Sequence, residues 1–156
     1  MENNQKRIFL DLDYCIGCRS CEAACRSAFE ESRIRYGDIS ETTFLPIACR
    51  HCDEPVCAAA CPFEVLKVTD QGLVLQASFH CVGCKSCIIA CPFGVLDKSL
   101  LHHVSQKCNL CKDRGDGPRC VASCASGALK LLTEKEAKKT VVGKRFVSRS
   151  PFWRRT

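Results

Sequence analysis

The sequence predicts an α+β fold, a fourfold repeat in which a cysteine loop leads into a short helix, with short strands between the repeats. Three observations carry this reading. The sixteen cysteines of the 156-residue chain fall into four runs: Cys15, Cys18, Cys21, Cys25; Cys49, Cys52, Cys57, Cys61; Cys81, Cys84, Cys87, Cys91; and Cys108, Cys111, Cys120, Cys124. First cysteines of successive runs stand 34, 32 and 27 residues apart, a near-constant period that marks repeated supersecondary units. Within every run the third and fourth cysteines are four residues apart, the spacing that sets two side chains on one helical face.

Along the chain, Ile8 to Leu12 is the first strand candidate, and the first cysteine loop follows it. Small residues fill the helical turn between the third and fourth cysteines of each run: Ala23 and Ala24, then Ala58 to Ala60, then Ala90, then Ala122 and Ser123. Val65 to Val68 and Leu73 to Leu75 are two short strands, with Asp70, Gln71 and Gly72 between them as a hairpin turn. Ala128 to Leu132 is the last strand candidate.

The spacing carries the chemistry. Cys-x2-Cys-x2-Cys-x3-Cys occurs at 15–25 and at 81–91, the latter followed by Pro92, and this is the bacterial pattern for [4Fe-4S] ligation. Each corner of a cubane takes one thiolate, so sixteen thiols in fours match four [4Fe-4S] clusters. Three close cysteines wrap one cluster, and the fourth, one helical turn on, reaches another cluster and ties two repeats together. The second run stretches its loop with Asp53, Glu54, Pro55 and Val56, and the fourth with Lys112 to Arg119. Structural zinc is the rival for paired cysteines, but zinc sites use two pairs and need neither a third cysteine three residues on nor a fourth on a following helix. A chain that spends a tenth of its positions on cysteine builds only a small apolar core, so the clusters are expected to hold it together.

The formal charge of +6 invites a nucleic-acid reading, yet it counts every cysteine as neutral. Four oxidised clusters at about 2− each turn it into about −2, which leaves nucleic acid without support. From Lys135 onward eight Lys or Arg face Glu136 alone, a balance of +7, so the first 134 residues carry −1 before clusters. No run of about 18 apolar residues exists to span a membrane. The first seven residues are polar, with no apolar run and no twin arginine, which gives the expectation of a reducing, cytoplasmic compartment.

These residues carry a family resemblance. Cys49-Arg50-His51-Cys52-Asp53-Glu54-Pro55-Val56-Cys57 resembles the Cys-x-His-Cys-x-x-Pro-x-Cys of four-cluster ferredoxin subunits of the dimethyl sulfoxide reductase B-subunit type. Lys107-Cys108-Asn109-Leu110-Cys111, with Arg114, Gly117, Pro118, Cys120, Val121 and Gly127-Ala128-Leu129, resembles that family's last motif. The similarity runs from about Ile8 to Leu132. Arg26 after Cys25 and Ala125 after Cys124 depart from the proline common in bacterial ferredoxins; they touch helix geometry and cluster surroundings rather than ligation.

The resemblance implies a fold of two bacterial-type two-cluster ferredoxin units, the second inserted within the first; the basic C-terminal tail lies outside the family pattern and is read from its own residues as an extended arm. The outer unit would span 1–46 and 99–134, the inner 47–98, and the tail 135–156. It further implies the ligand sets: Cys15, Cys18, Cys21 with Cys124; Cys108, Cys111, Cys120 with Cys25; Cys49, Cys52, Cys57 with Cys91; and Cys81, Cys84, Cys87 with Cys61. Related subunits serve formate dehydrogenases, hydrogenases, carbon monoxide dehydrogenases and tungsten aldehyde oxidoreductases. The resemblance thus points to a non-catalytic electron-transfer subunit. Its partners would be a catalytic large subunit with a molybdenum or tungsten pterin or a nickel site, and a further redox subunit or soluble carrier. A freestanding polyferredoxin is the alternative, and a zinc-loaded nucleic-acid adaptor a third class that metal analysis separates.

Some residues stand outside the ligand pattern. His51, between two ligands, is read as a packing residue beside a cluster, with potential tuning or proton transfer as the other role. His80 and Lys85 can bias nearby potentials, a plain solvated side chain being as good a reading for Lys85. His102 and His103 are read as surface residues of a linker. In the tail, Phe146, Phe152 and Trp153 interleave with basic residues and Pro151 argues against a continuous helix. Aromatic and arginine anchors are favoured at interfaces, so the tail is expected to dock on a partner subunit. An anionic membrane surface and a disordered end are the rival readings.

Overall fold

The computed structural model describes residues 5–29, 31–41, 43–76, 80–96, 107–140 and 146–147. The first strand, β1 (Arg7–Asp11), is buried at all five positions. It pairs on one edge with β6 (Leu129–Leu132), antiparallel, with Arg7 opposite Leu132 and Leu10 opposite Leu129. On its other edge β7 (Phe146–Val147) runs parallel to it. A strand paired on both sides and covered by core is expected to be apolar throughout, and Ile8-Phe9-Leu10 meets that demand.

Two hairpins complete the strands. β4 (Leu66–Val68) and β5 (Val74–Gln76) pair antiparallel around the turn expected at Asp70 to Gly72. Gly72 takes φ of 73°, its N–H reaching the Thr69 carbonyl at 2.8 Å, and the Thr69 hydroxyl accepts from the Leu73 N–H at 3.1 Å. β2 (Arg35–Ser40) and β3 (Thr43–Ile47) form a second hairpin with a register shift between Asp38 and Ser40. Sequence reading does not find this one, because Pro46 sits inside β3 and interrupts the usual strand pattern.

The helices are shorter than the cysteine spacing suggests. Only α1 (Ser20–Arg26) contains both its third and fourth cysteines, Cys21 and Cys25. In α2 (Val56–Ala59), α3 (Ser86–Ala90) and α4 (Arg119–Ala122) the fourth cysteine lies beyond the last helical residue. Proline explains two of the three. Pro62 and Pro92 follow Cys61 and Cys91, and a residue before proline is pushed out of helical geometry; Cys91 is extended, with ψ of 111°. Arg26 in place of proline lets α1 run through Cys25.

Two hydrophobic clusters gather the elements. The first unites Ile8, Leu10, Ile34, Ala48, Ala128 and Leu129 with Cys21, Cys25 and Cys120, and α1 packs on α4 there. The second joins Leu66, Val74, Ile88 and Leu96 with Cys87, where α2 packs on α3. First and fourth runs thus share one core, second and third the other. Glu134–Thr140 forms α5 ahead of the 141–155 stretch read as an extended arm, of which Phe146–Val147 is described, as β7. Thr133 and Glu136 close a reciprocal cap at the entrance of α5: the Thr133 N–H donates to Glu136 Oε2 at 2.7 Å and the Glu136 N–H to Thr133 Oγ1 at 3.3 Å. Phe152 and Trp153 lie outside the described residues, as do His102, His103 and the expected junction at 98–99.

Candidate metal centres

The first and third runs share one backbone device. Gly17 and Arg19 hold φ of 70° and 56°, and Gly83 and Lys85 repeat it at 71° and 62°. Left-handed residues alternating with ordinary ones turn successive N–H groups into one concavity, an anion nest of the kind that serves iron-sulfur sites. Glycine takes this conformation without cost, and at Gly17 a Cβ would also meet the Phe44 ring at 2.6 Å. Lys85, considered from the sequence as a solvated or tuning side chain, is half-buried and forms the left-handed entrance to α3. In the second and fourth runs His51, Leu110 and Cys111 take positive φ instead.

Hydrogen bonds converge on the sulfurs. Backbone N–H groups of Arg33, Val65 and Leu129 reach Cys25, Cys61 and Cys124 at 3.2, 3.4 and 3.4 Å. Ser20 donates its hydroxyl to Cys18 at 3.3 Å, and Ser86 stands 3.5 Å from Cys84. Those two hydroxyls hold the pKa of Cys18 and of Cys84, the two exposed cysteines, below the ordinary thiol value. The enclosed thiols go the other way. Burial pushes Cys21 and Cys87 up to about 11 and Cys108 to about 12, and raises Cys15, Cys57 and Cys120 as well. Metal ligation must displace protons from such thiols.

Thiols of different runs are electrostatic neighbours, Cys57 of Cys87, Cys49 of Cys108 and Cys21 of Cys120 among them. Cys124 acts on Cys15 and Cys21, Cys25 on Cys108 and Cys120, Cys91 on Cys57, and Cys61 on Cys87. A cavity lined by Cys49, Cys52, Cys57 and Cys91 sits between the second and third runs, walled by Val74, Phe93, Leu96 and Lys107. No three His, Cys, Asp or Glu side chains among the described residues gather closely enough to hold one metal ion. Tetrahedral zinc needs four ligands about 2.3 Å from one point, whereas a cubane spreads its thiolates over four iron corners.

His51 bears on the fit of such a group. It is 1% exposed, and its Nδ1 accepts the Val74 N–H at 3.0 Å. Its proton therefore sits on Nε2, a buried donor with no protein partner among the described residues. Burial first, then the charges of Lys107 and Arg7, holds its pKa down at about 3, so the ring stays neutral at ordinary pH. A buried N–H without an acceptor is costly, and a group carrying sulfide acceptors beside Cys49 and Cys52 would satisfy it. The packing role expected of His51 thus acquires a specific partner, β5. His80 is exposed.

One residue escapes sequence reading. Lys107, which the sequence offers only as a motif neighbour of Cys108, is buried, and its Nζ donates to Cys49 Sγ at 2.9 Å and to the Val74 carbonyl. A buried lysine is unusual enough to signal a role, but its sequence context offers no periodicity to reveal it.

Comparison with known proteins agrees with this chemistry. A 4Fe-4S dicluster domain model matches residues 40–134, and a 4Fe-4S binding domain model matches residues 12–31. The chain is 32% identical to the electron transport protein HydN of Escherichia coli K12, over 78% of this chain and 85% of that protein. It is 37% identical to the tetrathionate reductase B-subunit of Archaeoglobus fulgidus, over 73% of this chain and 59% of the relative. It spans only 20% of the putative oxidoreductase UacF of Escherichia coli K12, at 35% identity.

Proposed function

Because the chain belongs to the 4Fe-4S dicluster domain family, we propose that it is the electron-transfer subunit of an oxidoreductase, relaying single electrons between a catalytic subunit and a second redox partner. The observation that carries this is the interleaving of runs in the two hydrophobic clusters: Cys21, Cys25 and Cys120 share one core with Cys15, Cys108 and Cys124 packed against it, and Cys87 sits in the other with Cys57, Cys81 and Cys91 packed against it. The interleaving supports four [4Fe-4S] sites. Cys15, Cys18, Cys21 and Cys124 hold one, and Cys108, Cys111, Cys120 and Cys25 a second. Cys49, Cys52, Cys57 and Cys91 hold the third, and Cys81, Cys84, Cys87 and Cys61 the fourth. When bound, a cubane stores one electron at a potential set by hydrogen bonds to sulfur, charge and exposure. The chain's own residues supply those three influences and no substrate chemistry.

The two hydrophobic clusters support a nested arrangement, with an outer unit of 1–46 and 99–134 around an inner unit of 47–98. The catalytic partner is a large subunit that carries a molybdenum or tungsten pterin or a nickel site, and the tail with Phe146, Phe152 and Trp153 docks on it in part. No helix among the described residues is long and apolar enough to cross a membrane, and a cytoplasmic location suits sixteen free thiols. A second reading, a freestanding carrier, draws support from the coverage of 85% of HydN, which is named an electron transport protein.

Anaerobic affinity purification from the native cell separates the two. A co-purifying large subunit with molybdenum, tungsten or nickel is the expected result. A chain that emerges alone, loaded with iron and sulfide, transfers the conclusion to the carrier.

A further inference from the structure

The seam between the two hydrophobic clusters is bridged by Lys107. It directly precedes Cys108, the first cysteine of the fourth run, and its side chain reaches back to Cys49, the first cysteine of the second. Cys49 and Cys108 are themselves electrostatic neighbours. Only 6% of Lys107 is exposed, so its ammonium is little screened by water, and charges act more strongly at low dielectric. β5 holds it in place. Val74 offers its carbonyl to Lys107 while giving its N–H to His51, which commits both backbone groups of Val74 to the seam rather than to a further strand.

We infer that Lys107 is the positioning residue for the electron step between the outer and inner pairs of clusters. It fixes the Cys49 loop against the Cys108 loop, and its charge stabilises an added electron at the site that Cys49 serves. This rests on the proposed relay. A fixed positive charge within hydrogen-bond reach of a ligand sulfur favours the reduced, more negative state of that site over the oxidised one. Arg7 also lies at the seam, but its side chain is paired to Asp53; Lys107 donates to sulfur and a neutral carbonyl. Cys57, in the same ligand set as Cys49, feels the Lys107 charge too, as does Cys108 across the seam, whereas thiols of the Cys15 and Cys81 loops meet other neighbours.

The test is an anaerobic redox titration of the full, cluster-loaded chain followed by electron paramagnetic resonance, for wild type, Lys107→Met, Lys107→Gln and Lys107→Arg, with iron and sulfide counted in each. Lys107→Met and Lys107→Gln are expected to load fully and to lower one cluster's reduction equilibrium at least tenfold, about 59 mV for a one-electron couple. Lys107→Arg is expected to keep that potential within a few-fold of wild type. Full loading with no potential moved in the neutral variants would overturn the inference. So would loss of iron from both neutral variants while Lys107→Arg loads, which would make Lys107 a prop for assembly alone. A wild-type chain without iron-sulfur signals defeats the relay reading itself, a result distinct from either.

Discussion

Ser20 and Ser86 occupy equivalent places two residues beyond Cys18 and Cys84, and each sets a hydroxyl on an exposed sulfur. A hydrogen bond to a thiolate favours the reduced cluster, so Ser20→Ala and Ser86→Ala are expected to lower one cluster potential each. The shift should be up to about 59 mV, a tenfold change in a one-electron equilibrium, and should leave iron content intact. The crossing pattern makes a second residue-scale prediction. Cys124 belongs by sequence to the fourth run but acts on Cys15 and Cys21, so Cys124→Ala should damage the cluster of the first loop. Resonance spectra paired with those of Cys15→Ala check this; the two variants are expected to lose the same signal. At this scale the cysteine runs were legible because thiolate spacing is a chemical requirement. The packing role of His51 was legible but its partner was not, and Lys107 was not legible at all, because both answer to Val74, which stands 23 and 33 residues away along the chain.

Among the elements, the helices were legible in position and not in length. The four-residue cysteine spacing located each one, but Pro62 and Pro92 end two of them before the fourth cysteine, and only the run with Arg26 continues. The 66–76 hairpin was readable from its Asp-Gln-Gly turn, whereas β2 and β3 hide behind Pro46. Helix α5 yields a pH prediction. The Thr133 N–H, then the Thr133 hydroxyl, hold the Glu136 carboxyl below its ordinary range. A depressed folded value means the cap's contribution is complete above the ordinary carboxylate range and is lost as pH falls through the lower, folded value. Amide exchange across 134–140 should therefore quicken on acidification through and below about pH 4. In Glu136→Gln the exchange should show little dependence on pH beyond its intrinsic chemistry, because that variant has no carboxyl to titrate.

The whole molecule is small for the structure it maintains. Its two hydrophobic clusters incorporate cysteines as core residues, so the apolar surface it can bury depends on what those cysteines hold. Charge gives a global check that requires no knowledge of partners. The sequence isoelectric point is about 8.6, yet four clusters at about 2− each would reverse the net sign. Anaerobic isoelectric focusing should find the loaded chain on the acidic side of neutrality and the stripped chain on the basic side. The gradient along the chain, basic in the tail and acidic elsewhere, was visible from composition, while the pairing of β7 with β1 was not, since two residues carry no detectable pattern.

The most direct measurement of the central claim is the iron, acid-labile sulfide and zinc content of the anaerobically purified chain. Four cubanes require about sixteen irons and about sixteen sulfides per chain with no stoichiometric zinc. Zinc without sulfide, or about half that iron with half the cysteines free to alkylation, would contradict it.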